Sequence, residues 1–492
     1  MLNSASGTPT PNASFSLDPA DWKETRELAH GMLDDMLDFL QKIREFPVWQ
    51  KIPDAIRERF HQPIPTKSSG FEDVYREFQN EILPYSSGNA HPGFMGWVQG
   101  GGTYVGMLAE LLAGGLNANL GGRDHAPIEV EKQIVHWMRE LFSFPSDATG
   151  LFVTGSSIAN FLGLLIAKHA VMGLSVRNTG IDDPSKWTIY TSTAAHRCIA
   201  QAVEMMGLGS DQLRKIQVDS QHRMDIEELE RILEADHRAD LRPVCIVGSA
   251  GTVDVGAIDD LVALRRIADR EGIPLHIDGA YAALGMMSPN LRSKLVGITE
   301  ADSIAFDFHK WTQVPYDAGF LLVRNGKLHL DSFHTPADYL ARDPRAMAAG
   351  SPWPCDLGPD LSRGFRALKT WMTLRVFGTQ RLGSMMDHTC ELASYLGQRI
   401  EQSEELELLA PVTLNIVCYR YRSTDADVLN HDLVAALQQE GLVAPSATKV
   451  DGKVAIRAAI FNHRTDHRDL DQLVESSLRL GRALADRPST LT

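Results

Sequence analysis

The sequence predicts an α/β protein with a mainly parallel β-sheet, followed by a smaller α+β domain. Short apolar segments alternate with amphipathic helical segments between residues 150 and 330, and this alternation is typical of parallel strands joined by helices. Beyond about Thr379 strands and helices are mixed, which indicates a second domain. The predicted division is an N-terminal tail and helical arm (1–95), a large domain (96–378) and a small C-terminal domain (379–492).

The composition is typical of a large enzyme and disfavours several other classes of protein. Of the 492 residues, 43% are hydrophobic and 23% are charged, and this length allows about three domains. The net charge of −15 disfavours binding to nucleic acid or to an anionic membrane. The apolar runs are much shorter than the roughly 20 residues that span a bilayer. The N-terminal segment also lacks the apolar stretch of a secretory signal.

The cysteines indicate neither a disulfide scaffold nor a zinc site. Their number is odd, and none of them forms a CxxC pair. We therefore expect a reducing compartment and predict a cytoplasmic protein without a metal site. The five residues are Cys198, Cys245, Cys355, Cys390 and Cys418.

The N-terminal region predicts a disordered tail, one long helix and an extended arm. Residues 1–18 are poor in large apolar side chains. From Asp21 to about Phe46 apolar residues recur at helical spacing, and the prolines that follow break the chain into an arm with short helices. Because such an arm buries little surface alone, we expect it to pack on a partner subunit or a neighbouring domain. Packing on its own subunit is the alternative.

The elements of the two domains follow a glycine-rich stretch at 93–102 and a long helix near 128–142. Strands of the large domain are predicted at 151–153, 187–191, 244–248, 274–278, 303–306 and 319–323, the last as a hairpin-like return. Its helices are predicted at 159–170, 199–206 and 259–270. The C-terminal domain has predicted helices at 380–401, 428–440 and 469–484, and predicted strands at 413–421 and 454–461.

Polar residues lie at the carboxyl ends of these strands, where α/β sheets bind their ligands. His309 and Lys310 follow the strand at 303–306, and a lysine beside an imidazole in a partly dry pocket can lose its proton and attack a carbonyl. Asp278 ends another strand, where its carboxylate could pair with the nitrogen of an aromatic ring. Taken alone, each of these residues is more often a surface or capping residue.

Two further segments supply an anion site and a group that can stack on a ring. Residues 154–157 (Thr-Gly-Ser-Ser) stand between a strand and a helix, where Ser156, Ser157 and free helix N–H groups suit a phosphate. His196 follows the strand at 187–191. A phosphate site, a stacking imidazole, a carboxylate for a pyridine nitrogen and an amine for an aldehyde are together the binding needs of pyridoxal 5′-phosphate (PLP).

Seven motifs spread along the chain resemble those of one family. They lie at 91–97 (HPGFMGW), 117–122 (NANLGG), 129–131 (EVE), 276–281 (HIDGAY), 307–311 (DFHKW), 365–371 (FRALKTW) and 457–465 (RAAIFNHRT). Over about residues 21–485 the chain resembles the PLP-dependent group II amino acid decarboxylases, in particular those acting on aromatic L-amino acids. The resemblance implies the type I aminotransferase fold, with a mainly parallel seven-stranded sheet in the PLP-binding domain. It also implies a homodimer with active sites near the subunit interface and a dimerisation role for the N-terminal arm.

The resemblance assigns a role to each residue of the site. Lys310 is similar to the family's Schiff-base lysine, and Asp278 to the carboxylate that pairs with the pyridine nitrogen. His196 resembles the imidazole that stacks on the ring and meets the substrate carboxylate, and Tyr339 the mobile-loop tyrosine that reprotonates the substrate carbon. These four are the expected catalytic residues. The expected cofactor-binding residues are Ser156, Ser157, His196, Thr252, Asp278, Ala280, Asp307, His309 and Lys310, and the expected substrate contacts are Trp97, Gly100 and His196.

The function implied by the resemblance is decarboxylation of an L-amino acid to an amine and CO₂ through a Schiff base on Lys310. Trp97, Phe94 and Met95 suggest a substrate with an apolar or aromatic side chain. Other PLP reactions stay open, namely oxidative deamination to an aldehyde, transamination, and carbon–carbon or carbon–sulfur lysis. An inactive homologue that serves as a dimer partner is the non-enzymatic alternative.

Overall fold

The computed structural model describes residues 16–19, 21–336 and 340–486. These residues belong to two compact units. The first comprises the described residues up to Phe46 together with Lys51–Ser86, and the second comprises Pro47–Gln50 and the described residues from Ser87 onwards. Most of the expected tail, and Tyr339, lie outside the described residues. The three domain limits given above stay a prediction.

The first unit consists of one long helix and short helical segments. Its α-helices are α1 (Trp22–Gln41), α2 (Asp54–Arg59) and α3 (Phe71–Glu77). Helix α1 begins at Trp22 because the Asp21 side chain accepts hydrogen bonds from the backbone N–H groups of Lys23 and Glu24. It ends at Gln41, five residues before the expected position. None of its 20 residues is buried.

The second unit contains two sheets and the helices that cover them. Its first elements are β1 (Phe94–Met95), α4 (Tyr104–Leu116) and α5 (Ala126–Leu141). The elements of the large sheet and its helices are β2 (Thr149–Val153), α6 (Ser156–Met172), α7 (Val176–Thr179), β3 (Trp187–Ser192), α8 (Cys198–Met205), β4 (Leu213–Ile216), α9 (Ile226–Arg238), β5 (Arg242–Ser249), α10 (Leu261–Glu271), β6 (Leu275–Asp278), α11 (Pro289–Arg292), β7 (Ser303–Asp307), β8 (Gly319–Val323) and α12 (Gly326–Phe333). The remaining elements are α13 (Arg366–Glu401), β9 (Leu406–Leu408), β10 (Ile416–Tyr421), α14 (Ala426–Glu440), β11 (Ala444–Val450), β12 (Lys453–Ala459) and α15 (His467–Ala485).

The large sheet has seven strands in the order β2-β8-β7-β6-β5-β3-β4. Strand β8 is antiparallel to both of its neighbours, and the other pairs are parallel. The prediction of a mainly parallel seven-stranded sheet is therefore confirmed. Strand β4 was not expected, because its sequence Leu-Arg-Lys-Ile is short and half charged. The carboxyl ends of six strands lie at one edge of the sheet as a result.

The smaller sheet has five strands in the order β1-β11-β12-β10-β9. Strand β1 is parallel to β11, pairing Phe94 with Ala444 and Met95 with Pro445, and the other pairs are antiparallel. The expected strands at 413–421 and 454–461 correspond to β10 and β12. Strands β1, β9 and β11 were not expected, because the first two are very short and β11 contains proline and polar residues. The segment that precedes Trp97 is therefore part of the C-terminal sheet.

Helix α13 is the longest helix in the described part of the chain, with 36 residues. It is kinked at Gly378, whose φ of 69° and ψ of 160° are not helical. The helix joins the motif at 365–371 to the helix expected at 380–401. None of the helices among residues 16–336 and 340–486 combines the length and apolarity needed to cross a membrane.

A buried ion pair fastens helix α5 to the large sheet. The Arg363 guanidinium donates to both carboxylate oxygens of Glu131, at 3.1 and 2.6 Å, and both side chains are less than 5% exposed. The same guanidinium donates to the backbone oxygens of Leu120 and Phe152, each at 2.9 Å. A buried charge without a partner is costly, so these contacts fix α5, β2 and the segment around Leu120 together.

Replacing Arg363 by Leu should destabilise the protein, because Glu131 would remain buried without its partner. We expect a loss of about 3–5 kcal/mol, seen as a lower midpoint in thermal and chemical denaturation. The double variant Glu131→Leu/Arg363→Leu should recover at least half of that loss, since it leaves no unpaired charge. A single variant that unfolds at the wild-type midpoint would contradict this role for the pair.

Candidate active site

One cavity of about 520 Å³ lies at the carboxyl edge of the large sheet. Nearly all of the expected site residues line it, although they come from six different strand ends or the loops that follow them. Those that line it are Trp97, Ser156, Ser157, His196, Thr252, Asp278, Ala280, Asp307, His309 and Lys310. Its size lies in the range typical of cofactor and ligand pockets.

Asp307, the last residue of β7, is a buried carboxylate that links three parts of the site. One oxygen accepts from the Ser156 backbone N–H at 2.7 Å, and the other accepts from the Ser156 hydroxyl at 2.7 Å. The Lys310 ammonium lies 2.8 Å from the second oxygen. Burial alone would raise the pKa of Asp307, but the Lys310 ammonium and the hydrogen bonds from Lys310 and Ser156 hold it below its ordinary value. The carboxylate therefore stays ionised.

His309 is a buried, neutral imidazole next to this carboxylate. Its Nδ1 accepts from the Ala318 backbone N–H at 3.1 Å, which leaves the proton of the neutral ring on Nε2. Nε2 lies 3.6 Å from Asp307. Burial lowers the pKa of His309 to about 4. The ring also contacts the Tyr316 ring, with 4.4 Å between centroids.

Asp278, the last residue of β6, is the second buried carboxylate of the cavity. It is 6% exposed and accepts from the Ala280 backbone N–H at 3.2 Å. Burial raises its pKa, whereas Lys310, Asn160 and His196 act in the opposite direction. A cationic ring nitrogen beside it would stabilise the ionised form further.

His196 follows β3 and is also held as a neutral ring. Burial lowers its pKa, and Lys310 and Arg197 add to that effect. Its Nδ1 accepts from the Cys198 backbone N–H at 3.3 Å, so the proton of the neutral ring is on Nε2. A neutral imidazole is suited to lie on the face of an aromatic ring, and its Nε2–H can donate to a carboxylate.

The start of helix α6 supplies an anion site. Ser156 is already bonded to Asp307, and the N–H groups of Ile158 and Ala159 donate to the Gly155 carbonyl at 3.0 and 3.2 Å. The exposed Ser157 is therefore the residue of the first turn that can offer donors to an anion. Gly155 precedes this turn and faces His309, since a Cβ added to it would lie 3.7 Å from that ring, at ordinary contact distance.

These donors fit PLP. The donors of Ser157 at the start of α6 suit its phosphate, Asp278 suits its ring nitrogen, and the amine of Lys310 suits its aldehyde. His196 and Ala280 line the same cavity, one with a neutral ring and the other with a small side chain. The buried hydroxyl of Thr252 accepts from the Ala257 backbone N–H at 3.0 Å, which fixes the turn beside them.

The substrate contacts expected from the sequence are placed differently from one another. Trp97 lines the cavity and is 56% exposed. Gly100 is not among the residues that line it. Its N–H donates to the His309 carbonyl at 3.2 Å, and a Cβ there would lie 2.5 Å from the Lys310 carbonyl oxygen. Gly100 therefore packs behind the lysine-bearing segment. Tyr339 lies outside the described residues.

Several residues near the cavity were not expected from the sequence. Tyr316 and Val253 line it from irregular segments, where no periodic pattern marks them. Asn160 faces Asp278 from inside helix α6, where it looks like an ordinary helical residue. Arg457 is 3% exposed, with its Nε and Nη2 unpaired among the described residues. It donates to Ser446, whose hydroxyl also accepts from the Trp97 backbone N–H at 3.3 Å.

Comparisons with known proteins identify the family. The model of the pyridoxal-dependent decarboxylase conserved domain matches residues 53–422. An aromatic-L-amino-acid decarboxylase of Bacillus atrophaeus is 30% identical and covers 92% of this chain and 94% of its own. A phenylacetaldehyde synthase of Arabidopsis thaliana is 26% identical, over 93% and 95% of the two chains.

Solved structures show the same fold. The Oryza sativa TDC crystal structure with PLP and tryptamine aligns with a TM-score of 0.87 at 22% identity, over 96% of this chain and all of that one. Mouse CSAD aligns with a TM-score of 0.83 at 21% identity, over 92% and 99% of the two chains. The expected type I fold is thereby confirmed. The family match over three quarters of the sequence, together with the PLP-compatible cavity, establishes that this chain belongs to the pyridoxal-dependent decarboxylase family and is a PLP-dependent amino acid decarboxylase.

Proposed function

We propose that this enzyme converts an L-amino acid with an apolar or aromatic side chain to the corresponding amine and CO₂. The observation that supports this proposal best is the convergence of Lys310, Asp278 and His196 on one cavity with an apolar wall. Lys310 is the only lysine or arginine that lines the cavity in the described part of the chain. A substrate with an acidic side chain would therefore find no free cationic group to pair with in this cavity. The apolar and aromatic residues of the wall include Trp97, Val98, Ile158, Val253 and Tyr316.

Each residue of the site has one task in this proposal. When bound, PLP supplies an electron sink for the pair left on the substrate carbon as CO₂ departs. Lys310 would carry the cofactor covalently, and Asp278 would keep its ring nitrogen protonated. Ser157 and the first turn of α6 would hold the phosphate. Asp307 would fix Ser156 and Lys310 relative to each other.

The chain also has to orient the substrate and move one proton. His196 would donate its Nε2–H to the substrate carboxylate. This contact would hold the bond between the α-carbon and the carboxylate perpendicular to the cofactor ring, an orientation that selects loss of CO₂ over loss of a proton. Tyr339 would then deliver a proton to the substrate α-carbon. This proton balances the reaction, because one proton enters the amine for each CO₂ that leaves.

A second candidate reaction is decarboxylation with oxidative deamination, which gives an aldehyde. One observation favours keeping it open, since the Arabidopsis relative is a phenylacetaldehyde synthase. The two reactions differ in the fate of the substrate α-carbon. That carbon receives a proton in the first reaction and is oxidised by molecular oxygen in the second.

The five cysteines support the cytoplasmic location that we propose. All of them are free thiols, and three are buried, namely Cys198, Cys245 and Cys418. Free thiols of this kind are typical of a reducing compartment.

Product analysis tests the proposed reaction directly. The PLP-loaded protein is incubated with a pool of L-amino acids, and the products are identified by mass spectrometry. We expect amines from phenylalanine, tyrosine or tryptophan and none from glutamate or aspartate. An amine formed from an acidic amino acid alone would overturn the substrate class, and an aldehyde as the main product would establish the second reaction.

Replacing Tyr339 by Phe should suppress amine formation, because the substrate α-carbon would lose its proton donor. We expect the rate of amine formation to fall by about 10²-fold or more, with aldehyde as a larger share of the product. Tyr316→Phe is the matched control, since Tyr316 is a phenol that lines the cavity and whose pKa burial raises to about 12. If Tyr316→Phe loses the amine and Tyr339→Phe does not, the proton donor is Tyr316.

We also propose that the enzyme is a homodimer with its active sites near the subunit interface. Helix α4 exposes four large apolar side chains at helical spacing, which form one apolar face. These are Tyr104, Leu111, Leu112 and Leu116, each 49–63% exposed. The helix starts directly after the glycine segment that packs behind Lys310. Helix α1 also has no buried residue, as expected for a segment that a partner subunit covers.

The double variant Leu111→Glu/Leu116→Glu should be a monomer, because it places two charges in the proposed interface. Light scattering coupled to size exclusion should give half the wild-type mass. Val428→Glu is the control, since Val428 is 67% exposed on helix α14. A wild-type protein with the mass of one chain would refute the dimer.

A further inference from the structure

A chain of buried polar residues lies behind Asp278, and the mechanism above gives it no task. It consists of Asn160, His276 and Ser303, which are 0%, 0% and 5% exposed. His276 Nε2 lies 2.8 Å from Asn160 Oδ1, and His276 Nδ1 lies 2.7 Å from the Ser303 hydroxyl. Buried polar groups cost free energy unless they are bonded, and a network of this kind is retained where it fixes a geometry.

The fold places this network directly against Asp278. His276 and Asp278 are two residues apart on β6, so their side chains lie on the same face of the sheet. Helix α6 crosses that face, and a Cβ added to Gly163 would lie 2.5 Å from the His276 ring. Asn160 lies nearly one helical turn before Gly163, towards the carboxyl end of β6. Its amide therefore stands over Asp278, with which it interacts.

The hydrogen bonds of the network have one consistent direction. Because an amide oxygen only accepts, Nε2 of His276 carries the proton that it donates to Asn160. Burial lowers the pKa of His276 to about 3, so the ring is neutral and its Nδ1 accepts from the Ser303 hydroxyl. The Asn160 amide nitrogen is thereby turned away from His276 and donates to Cys198 Sγ at 3.4 Å. Cys198 itself adjoins Asp278, whose charge helps to raise the pKa of its thiol. The reversed amide would direct its oxygen at the carboxylate, which would repel it.

We propose that Asn160 is a positioning residue that presents an amide N–H to Asp278, the carboxylate that faces the cofactor ring nitrogen, and that His276 and Ser303 fix the orientation of its amide. The inference rests on the proposed role of Asp278 as the partner of that nitrogen. The other groups that face Asp278 are Lys310, His196, the Ala280 N–H and the Cys198 thiol, whose pKa burial raises to about 12 so that it stays uncharged. His196 is neutral and Lys310 is paired with Asp307, so the amide is a donor whose contribution does not change with pH.

The test measures PLP affinity rather than turnover. Equilibrium binding of PLP is followed by its absorbance and by quenching of protein fluorescence, at pH 6 and pH 8, for wild type and Asn160→Asp. Without the amide donor the pKa of Asp278 rises, so the carboxylate is protonated over a wider range at the acid end. We expect PLP affinity to fall at least tenfold at pH 6 and by a smaller factor at pH 8.

Asn430→Asp is the matched control. Asn430 is also fully buried, and its amide donates to the Tyr421 and Ala426 carbonyls, outside the cavity. Thermal midpoints of the cofactor-free proteins report general damage to the fold. A loss of PLP affinity that is equal at both pH values, or that the control shares, would mean a structural role and would overturn the inference. Wild-type affinity in Asn160→Asp would also overturn it.

Two more variants distinguish a failure of the role of Asn160 from a failure of the proposed role of Asp278. Ser303→Ala removes only the far end of the network and should lower PLP affinity two- to fivefold at pH 6. If Asn160→Asp does not fold, the test rests on Ser303→Ala. A PLP affinity of Ser303→Ala equal to that of wild type would then overturn the inference. Asp278→Asn tests the role on which the inference rests. If Asp278→Asn binds PLP like wild type, the proposed function of Asp278 fails, whereas a loss seen in Asp278→Asn alone rejects only the role of Asn160.

Discussion

The buried carboxylate of Asp307 is the interaction on which the rest of the site depends. A charge at 1% exposure has to be matched by donors, and the chain supplies them from the start of helix α6 and from Lys310. The end of β7, the beginning of α6 and the lysine are thereby held at fixed distances. The parallel direction of the strands brings these groups to the same edge of the large sheet. The hydrogen bonds and the ion pair of the Asp307 carboxylate hold them in place there.

The cavity combines charged groups with imidazoles that burial keeps neutral. Both His196 and His309 use Nδ1 to accept from a backbone N–H, so each presents Nε2–H to its surroundings. The two carboxylates are controlled in different ways. Asp307 has direct ionic and hydrogen-bond partners that lower its pKa. Burial raises the pKa of Asp278, and weaker contacts only partly offset that rise. The cavity is therefore polar mainly because of oriented hydrogen-bond donors and neutral imidazole rings, rather than because of an excess of charged groups.

The sequence predicted the parallel sheet and most residues of the cavity, because strand ends carry strong local signals. Apolar runs that stop at Asp278 or Asp307 can be recognised without coordinates. Strand β11 could not be recognised, since its proline and polar residues look like a loop until β12 pairs with them. The same holds for Asn160 and Tyr316, whose importance comes only from what the fold places opposite them. The placement of Gly100 also needed the structure, because a glycine carries no side chain to indicate a direction.

Strand β1 connects two parts of the chain that are made far apart in time. Its residues pair with β11, and the N–H of Trp97 donates to Ser446, about 350 positions later in the sequence. On a ribosome the chain grows from its N-terminus, so this wall of the pocket cannot form until β11 has been synthesised. The large sheet has all of its strands long before that point. A nascent chain therefore holds a sheet with all of its strands while one side of the cavity is still open, and that side closes only after residues 444–450 have been made.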